Sequence, residues 1–164
     1  MSGKMLLGMA HELTLNQLIS QVLRELSGLV MILPIELLRP HEQTSKGLVD
    51  QLAEEIERDG FLRKAILVDR ETLTVLDGHH RIEALRKLEC RKVPCLLIDY
   101  LSPRIEVRGG SGEKSILKEQ VVEAGIRGRL MPPKTTRHLV LVGGKVLRVS
   151  EIEPDLNIPL HDLL

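Results

Sequence analysis

The sequence predicts an α+β fold, a mixed-sheet domain with flanking helices. Three observations point there. Apolar residues recur at helical spacing in several stretches. Between them lie short alternating or continuous apolar runs of strand character. Helices and strands then interleave irregularly, unlike the strict alternation of a doubly wound sheet. A chain of 164 residues with 43% hydrophobic and 28% charged content is long enough to bury one real core.

Leu15, Leu18, Ile19, Val22, Leu23 and Leu26 form the apolar face of a first helix over 14–26. Thr14 with Gln17 fits a capping box, and Gly28 fits the C-terminal stop. This amphipathic helix must dock on the body or on a second subunit, so oligomerisation through it stays open. We set the domain boundary after it: an N-terminal helical extension over 1–30 and the main domain over 31–164. Leu33 to Leu38 reads as a strand stopped by Arg39-Pro40, and Lys46 to Arg58 as a helix ended by Asp59-Gly60. Ala65 to Asp69 and Leu73 to Leu76 form a hairpin-like pair, and Asp77-Gly78 turns into a helix over His79 to Leu88. Val93 to Tyr100 is a strand buried on both faces. Gly109 to Gly112 marks a boundary, followed by a helix over Ser115 to Ile126 that Met131-Pro132-Pro133 breaks. His138 to Val142 and Lys145 to Val149 flank Gly143-Gly144, a hairpin signal.

Composition narrows the partners. Lys+Arg and Asp+Glu are both 23, so the net charge is zero, and the chain lacks the basic excess of a duplex-coating protein. Phe61 and Tyr100 are the aromatic side chains and Trp is absent, which excludes base recognition on stacking platforms. We expect neither nucleic acid nor membrane as partner. Cys90 and Cys95 cannot staple a secreted scaffold and lack further thiols for a metal site. No apolar run reaches the roughly 18 residues of a membrane span. Met1 to Met9 does not read as an export signal, and the expected location is cytoplasmic.

Three polar clusters stand out. Pro40-His41-Glu42-Gln43 leaves the first strand and displays His41 and Glu42 on a loop. Asp77-Gly78-His79-His80-Arg81 follows an apolar strand and opens a helix. The N–H groups of His79, His80 and Arg81 then lie at a positive helix end, an anion seat to which Arg81 adds a guanidinium. Adjacent histidines on a helix point about 100° apart and chelate a metal poorly, so no protein metal site is expected. Pro133-Lys134-Thr135-Thr136-Arg137-His138 is a dense cluster of cations and hydroxyls. Each sits on a loop beside a regular element, as functional groups on a rigid scaffold do.

These residues carry a resemblance. Residues 42–100 resemble the ParB/sulfiredoxin-like fold, and within it the motifs PHEQ (40–43), DGHHR (77–81) and PKTTRH (133–138) are similar to those of archaeal free L-serine kinases. The similarity spans about 33–164, including the end segment Ile158 to Leu163; the first helix lies outside it. The stretch Ser102 to Glu113 is short where long members carry an insertion, which leans the donor towards ATP over ADP. The resemblance implies transfer of the terminal phosphate of ATP or ADP to free L-serine, with Mg2+ held mainly by the phosphates. It implies Glu42 as catalytic base, oriented by His41, and His80 and Arg81 as catalytic stabilisers of charge. Asp77, Gly78, His79, His80 and Arg81 would hold the nucleotide. Thr135, Thr136, Arg137 and His138 would bind phosphate or the serine carboxylate, with His41, Glu42, Thr136, Arg137 and His138 as the serine side.

The competing readings are a ParB-like DNA-binding regulator and a sulfiredoxin-like repair enzyme. The first is opposed by DGHHR where an arginine-rich motif is expected and by the zero net charge. The second needs a cysteine in the phosphate turn, where this chain has His79.

Overall fold

A computed structural model describes residues 13–110 and 115–164. The Met1 to Met9 reading and the Ser111-Gly112 half of the glycine-rich boundary lie outside the described residues. The elements run α1 (Leu15–Glu25), β1 (Leu29–Pro34), α2 (Lys46–Asp59), β2 (Phe61–Lys64), β3 (Ile66–Asp69) and β4 (Val75–Asp77). Then follow α3 (His79–Lys87), β5 (Lys92–Ile98), β6 (Ile105–Gly109), α4 (Lys118–Arg127), β7 (Thr136–Val142), β8 (Lys145–Arg148) and β9 (Asp155–Pro159).

A mixed four-stranded sheet in the order β1-β5-β3-β4 organises the molecule; β3 and β5 are parallel and the other pairings antiparallel. The two-residue period of β3 and β5 divides their side chains between two cores. Ile66, Val68, Val93, Cys95 and Leu97 face Ala53 and Ile56 of α2 and Ile82 and Leu85 of α3. Leu67, Leu96 and Ile98 face the opposite way, against Val22 and Leu26 of the first helical segment and Ile105 and Val140 of a second sheet. That is why the 93–98 run is apolar throughout. The second sheet is β6-β7-β8, and β2 pairs with β9 near the end of the chain.

Helix α1 docks on the body: Leu26 is fully buried, and the 30/31 boundary falls inside β1. The expected capping box is present, with Gln17 N–H donating to the Thr14 hydroxyl at 3.2 Å. Its C-terminal stop differs by one residue. Ser27, not Gly28, takes the left-handed conformation (φ 54°), with Ser27 N–H to Arg24 O and Gly28 N–H to Leu23 O completing the cap.

The strand expected over Leu33 to Leu38 is displaced. β1 ends at Pro34, which has no N–H to continue a ladder, and Ile35–Leu37 is a 3₁₀ turn. The helix expected over Ser115 to Ile126 begins at Lys118 and ends because Gly128 adopts φ 65°, before the prolines. β6 pairs with β7 from Ile105↔Val140 to Gly109↔Thr136, so the segments on either side of 109–112 share one sheet. The Gly143-Gly144 hairpin forms as expected, with φ 56° and 77° at its two glycines. Both cysteines are buried and free. Among the described residues no helix is long and apolar enough to cross a membrane.

Candidate active site

The three motifs converge. The 40–43 loop leaves the 3₁₀ turn and pairs briefly with residue 131. Met131 N–H donates to His41 O and Gln43 N–H to Met131 O, both at 2.8 Å. This short ladder sets the 132–136 loop beside Glu42, whose Oε1 accepts the Thr136 N–H at 3.0 Å. The DGHHR turn closes the other side: the His79 Nε2 accepts the backbone N–H groups of His41 (3.1 Å) and Glu42 (3.4 Å). Segments far apart in sequence are thus tied together by backbone donors that a loop would otherwise leave unsatisfied.

Glu42 is mostly buried, its side chain 11% exposed, and its Oε2 lies 3.8 Å from both His41 Nε2 and His79 Nδ1. Burial raises its pKa above the ordinary 4.5, opposed by the Thr136 hydrogen bonds, and the negative charge of Asp77 raises it further. The result is a carboxylate held in place yet readier than usual to take a proton.

The histidines around it are neutral. His41 is fully buried and its pKa is lowered to about 4 by desolvation. Its Nδ1–H donates to Val75 O at 2.7 Å, so its Nε2 accepts from the Thr136 hydroxyl at 2.9 Å. Burial, followed by the neighbouring histidines, holds His79 well below its usual range. His138 is lowered to about 3 by burial, and its ring bonds the Tyr100 hydroxyl at 2.8 Å and the Leu76 backbone. The 3.8 Å approaches to Glu42 are therefore not ion pairs at neutral pH.

Several expected roles change with this geometry. His41 and His138 have their ring nitrogens engaged inside the protein, His41 by Val75 O and the Thr136 hydroxyl and His138 by the Tyr100 hydroxyl and the Leu76 backbone. His79 staples the Glu42 loop through its Nε2 and carries its ring proton on Nδ1, the nitrogen that faces Glu42 Oε2 at 3.8 Å. His80 accepts the Ser45 N–H at its Nε2 (3.1 Å), tying the start of α2 to α3. Burial and then the Lys134 charge lower its pKa, so it enters the site as a neutral ring, not as a cation. Thr135 donates its hydroxyl to Pro132 O at 2.6 Å and shapes its own turn.

Arg81 departs most from expectation. Its Nη1 donates to Ala65 O at 2.8 Å, and its Nη2 to Asp77 Oδ2 at 3.0 Å and to Glu153 Oε1 at 2.8 Å. These partners hold the guanidinium at the cavity edge, between Asp77 and the buried Glu153. Asp77 lies beside the site as the other half of that pair. Gly78 makes the turn with φ 107° and packs directly against Ile66.

The converged motifs border a cavity of about 580 Å³. Lys134, Arg137 and Arg148 supply positive charge, and Leu48, Leu52 and Val149 an apolar wall, while Glu42 and the Asp77–His80 turn line it as well. Size and lining suit a ligand with a flat apolar part and an anionic end. Arg148, Leu48, Leu52 and Val149 escaped the sequence reading because no motif marks them; each belongs to an ordinary helix or strand end. Among the described residues no group of three His, Cys, Asp or Glu could hold a metal ion.

The buried neutral histidines give the fold an acid limit. Unfolded histidine titrates near 6.5, whereas His41 stays neutral in the fold down to about 4. The contribution of His41 is therefore full above pH 6.5 and is lost as pH falls towards 4, a term of about 3 kcal/mol. Thermal melts at stepped pH should show this decline, and replacement of His41 by Asn should shrink it while His79 and His138 keep the remainder.

No family model matches the chain. Over 71 residues it is 39% identical to a ParB-like protein of Sulfolobus acidocaldarius, covering 43% of this chain and 35% of that protein. Over 105 residues it is 30% identical to an ATP-dependent L-serine kinase of Staphylothermus marinus, covering 59% of this chain and 42% of that one. The matched stretches thus span less than half the length of either curated relative. Among solved structures, a free serine kinase in complex with AMP superposes with a TM-score of 0.69 at 17% identity, over 82% of this chain and 93% of the other. The chain has that fold, and the α+β expectation holds.

Proposed function

We propose that this protein is a small-molecule kinase that transfers the terminal phosphate of ATP to the hydroxyl of free L-serine, giving O-phospho-L-serine. The observation that carries the reading is the placement of Glu42, a buried carboxylate with a raised pKa, on the same cavity as the α3 N-terminus and the side chains of Lys134, Arg137 and Arg148. Phosphoryl transfer asks a protein mainly for positioning and for neutralisation of charge. The backbone N–H groups at the start of α3 would meet the phosphates, as helix N-termini do. Lys134, Arg137 and Arg148 would offset charge on the transferring group. The Leu48, Leu52 and Val149 wall would take the base.

Glu42 would accept the serine hydroxyl proton as the bond to phosphorus forms. Thr136 N–H fixes one of its oxygens and leaves Oε2 beside two uncharged rings, so nothing in the fold competes for the incoming proton. Mg2+ fits this arrangement as an ion held chiefly by the nucleotide, since the described residues offer no cage and only Asp77 and Glu42 supply carboxylates at the cavity. It would neutralise phosphate charge; Asp77 would receive one of its waters.

The test is direct. Incubation of the protein with Mg2+, ATP and serine should yield O-phosphoserine and ADP by mass spectrometry; no product with ATP or ADP would overturn the reading. The ParB-like relative keeps a DNA-binding alternative in view. With zero net charge and Arg81 held by Asp77 and Glu153, we expect no shift of duplex DNA at physiological salt.

A further inference from the structure

Behind the DGHHR turn lies a carboxylate that belongs to none of the three motifs. Glu153 stands between the 3₁₀ turn Val149–Glu151 and β9, and its side chain is fully buried. Both of its oxygens accept from Arg81 Nη2, at 2.8 and 3.0 Å. The same nitrogen reaches Asp77, and Nη1 reaches the Ala65 carbonyl on the strand side. Arg81 also borders two spaces: the site cavity and a second one of about 360 Å³ between α2 and β2. A guanidinium so placed has room to swing either way unless it is held.

Stability alone is a poor reason for this arrangement. Burial pushes the Glu153 carboxyl up to about 8 against the pull of Arg81, and a buried ion pair is often replaceable by apolar groups at no loss. What the pair does fix is direction. With Arg81 anchored, Asp77 is held at the cavity edge and the Gly78 turn is pinned to β3. We propose that Glu153 is a positioning residue for the nucleotide site, setting Asp77 and the α3 N-terminus through Arg81. The inference rests on the kinase reading and extends it to the C-terminal segment, which also lends Arg148 and Val149 to the cavity.

Reach separates this role from charge or bulk. Glu153→Gln keeps the acceptor oxygen at the same distance, whereas Glu153→Asp keeps the carboxyl but retracts it by about 1.5 Å. In the full chain, ADP affinity by calorimetry and steady-state rates per folded molecule are measured for both. Glu153→Asp should weaken ADP binding and raise the nucleotide KM about tenfold, with kcat falling about tenfold and the serine KM within twofold of the parent. Glu153→Gln should stay within about threefold of the parent in every parameter. A purely structural role would lower melting temperatures and leave KM and kcat of the folded molecules in place. Wild-type values for Glu153→Asp, or a Gln variant at least as impaired, overturn the proposal. If the parent chain itself binds no ADP or ATP, the kinase reading falls and takes this proposal with it; binding by the parent with flat variants removes the positioning role alone.

Discussion

Glu42→Gln is expected to fold normally and to lose serine phosphorylation by about 10²–10⁴-fold, the usual cost of removing a positioned general base. The substitution is close to isosteric. A glutamine carbonyl oxygen can still accept the Thr136 N–H that now binds Oε1 at 3.0 Å, so the tie between the 40–43 and 132–136 loops persists. What disappears is the group that takes the proton. Because burial raises the Glu42 pKa above 4.5, the parent enzyme should also lose kcat/KM as pH falls through that higher value, when the carboxylate becomes protonated. The residual rate of Glu42→Gln should lack this limb. Initial rates of phosphoserine formation, with circular dichroism and ADP titration as controls for fold and binding, check both parts. A variant with near-full turnover would remove Glu42 from the chemistry.

The three motifs meet at one cavity, and the partners of their side chains were legible only in part. Backbone chemistry was readable: Gly78 announces a turn into a helix, and the structure has Gly78 at φ 107° capping α3 with no side-chain cap hydrogen bond. Side-chain direction was not. His41, His79 and Arg81 look like ligands in one dimension because their partners, Val75 O, the His41 and Glu42 amides, and Glu153, lie 34 to 72 residues away. Polar side chains beside a buried strand must first satisfy the fold's own donors and acceptors, and no local pattern records which of them do. The same distance hid β2 and β9: four- and five-residue strands rich in Arg, Lys, Asp and Asn gain their identity only by pairing with each other. The main sheet was legible because Ile66 to Asp69 and Lys92 to Ile98 are buried on both faces, leaving a continuous apolar signal.

Gly78→Ala should be the most destabilising single-methyl change in the phosphate turn, by about 2–5 kcal/mol. Two costs combine. Gly78 sits at φ 107°, a conformation that L-residues adopt only under strain. A Cβ there would also run into the Ile66 side chain and touch Arg81 Nη2 at 3.0 Å. Ile66 is fully buried in the first core, between strands and helices that fill the space behind it, and cannot retreat. In a chain of this length each kcal/mol lowers the melting temperature by roughly 2–4 °C, so a drop of roughly 4–20 °C is expected. Gly60→Ala is the matched control: its φ is 79°, yet no atom lies within 4 Å of the added carbon. It should lose only the backbone term, about 1–2 kcal/mol. Equal melting temperatures for the two variants would mean that the turn is not pressed against β3. In that case the proposed phosphate seat would lack the rigid backing of β3.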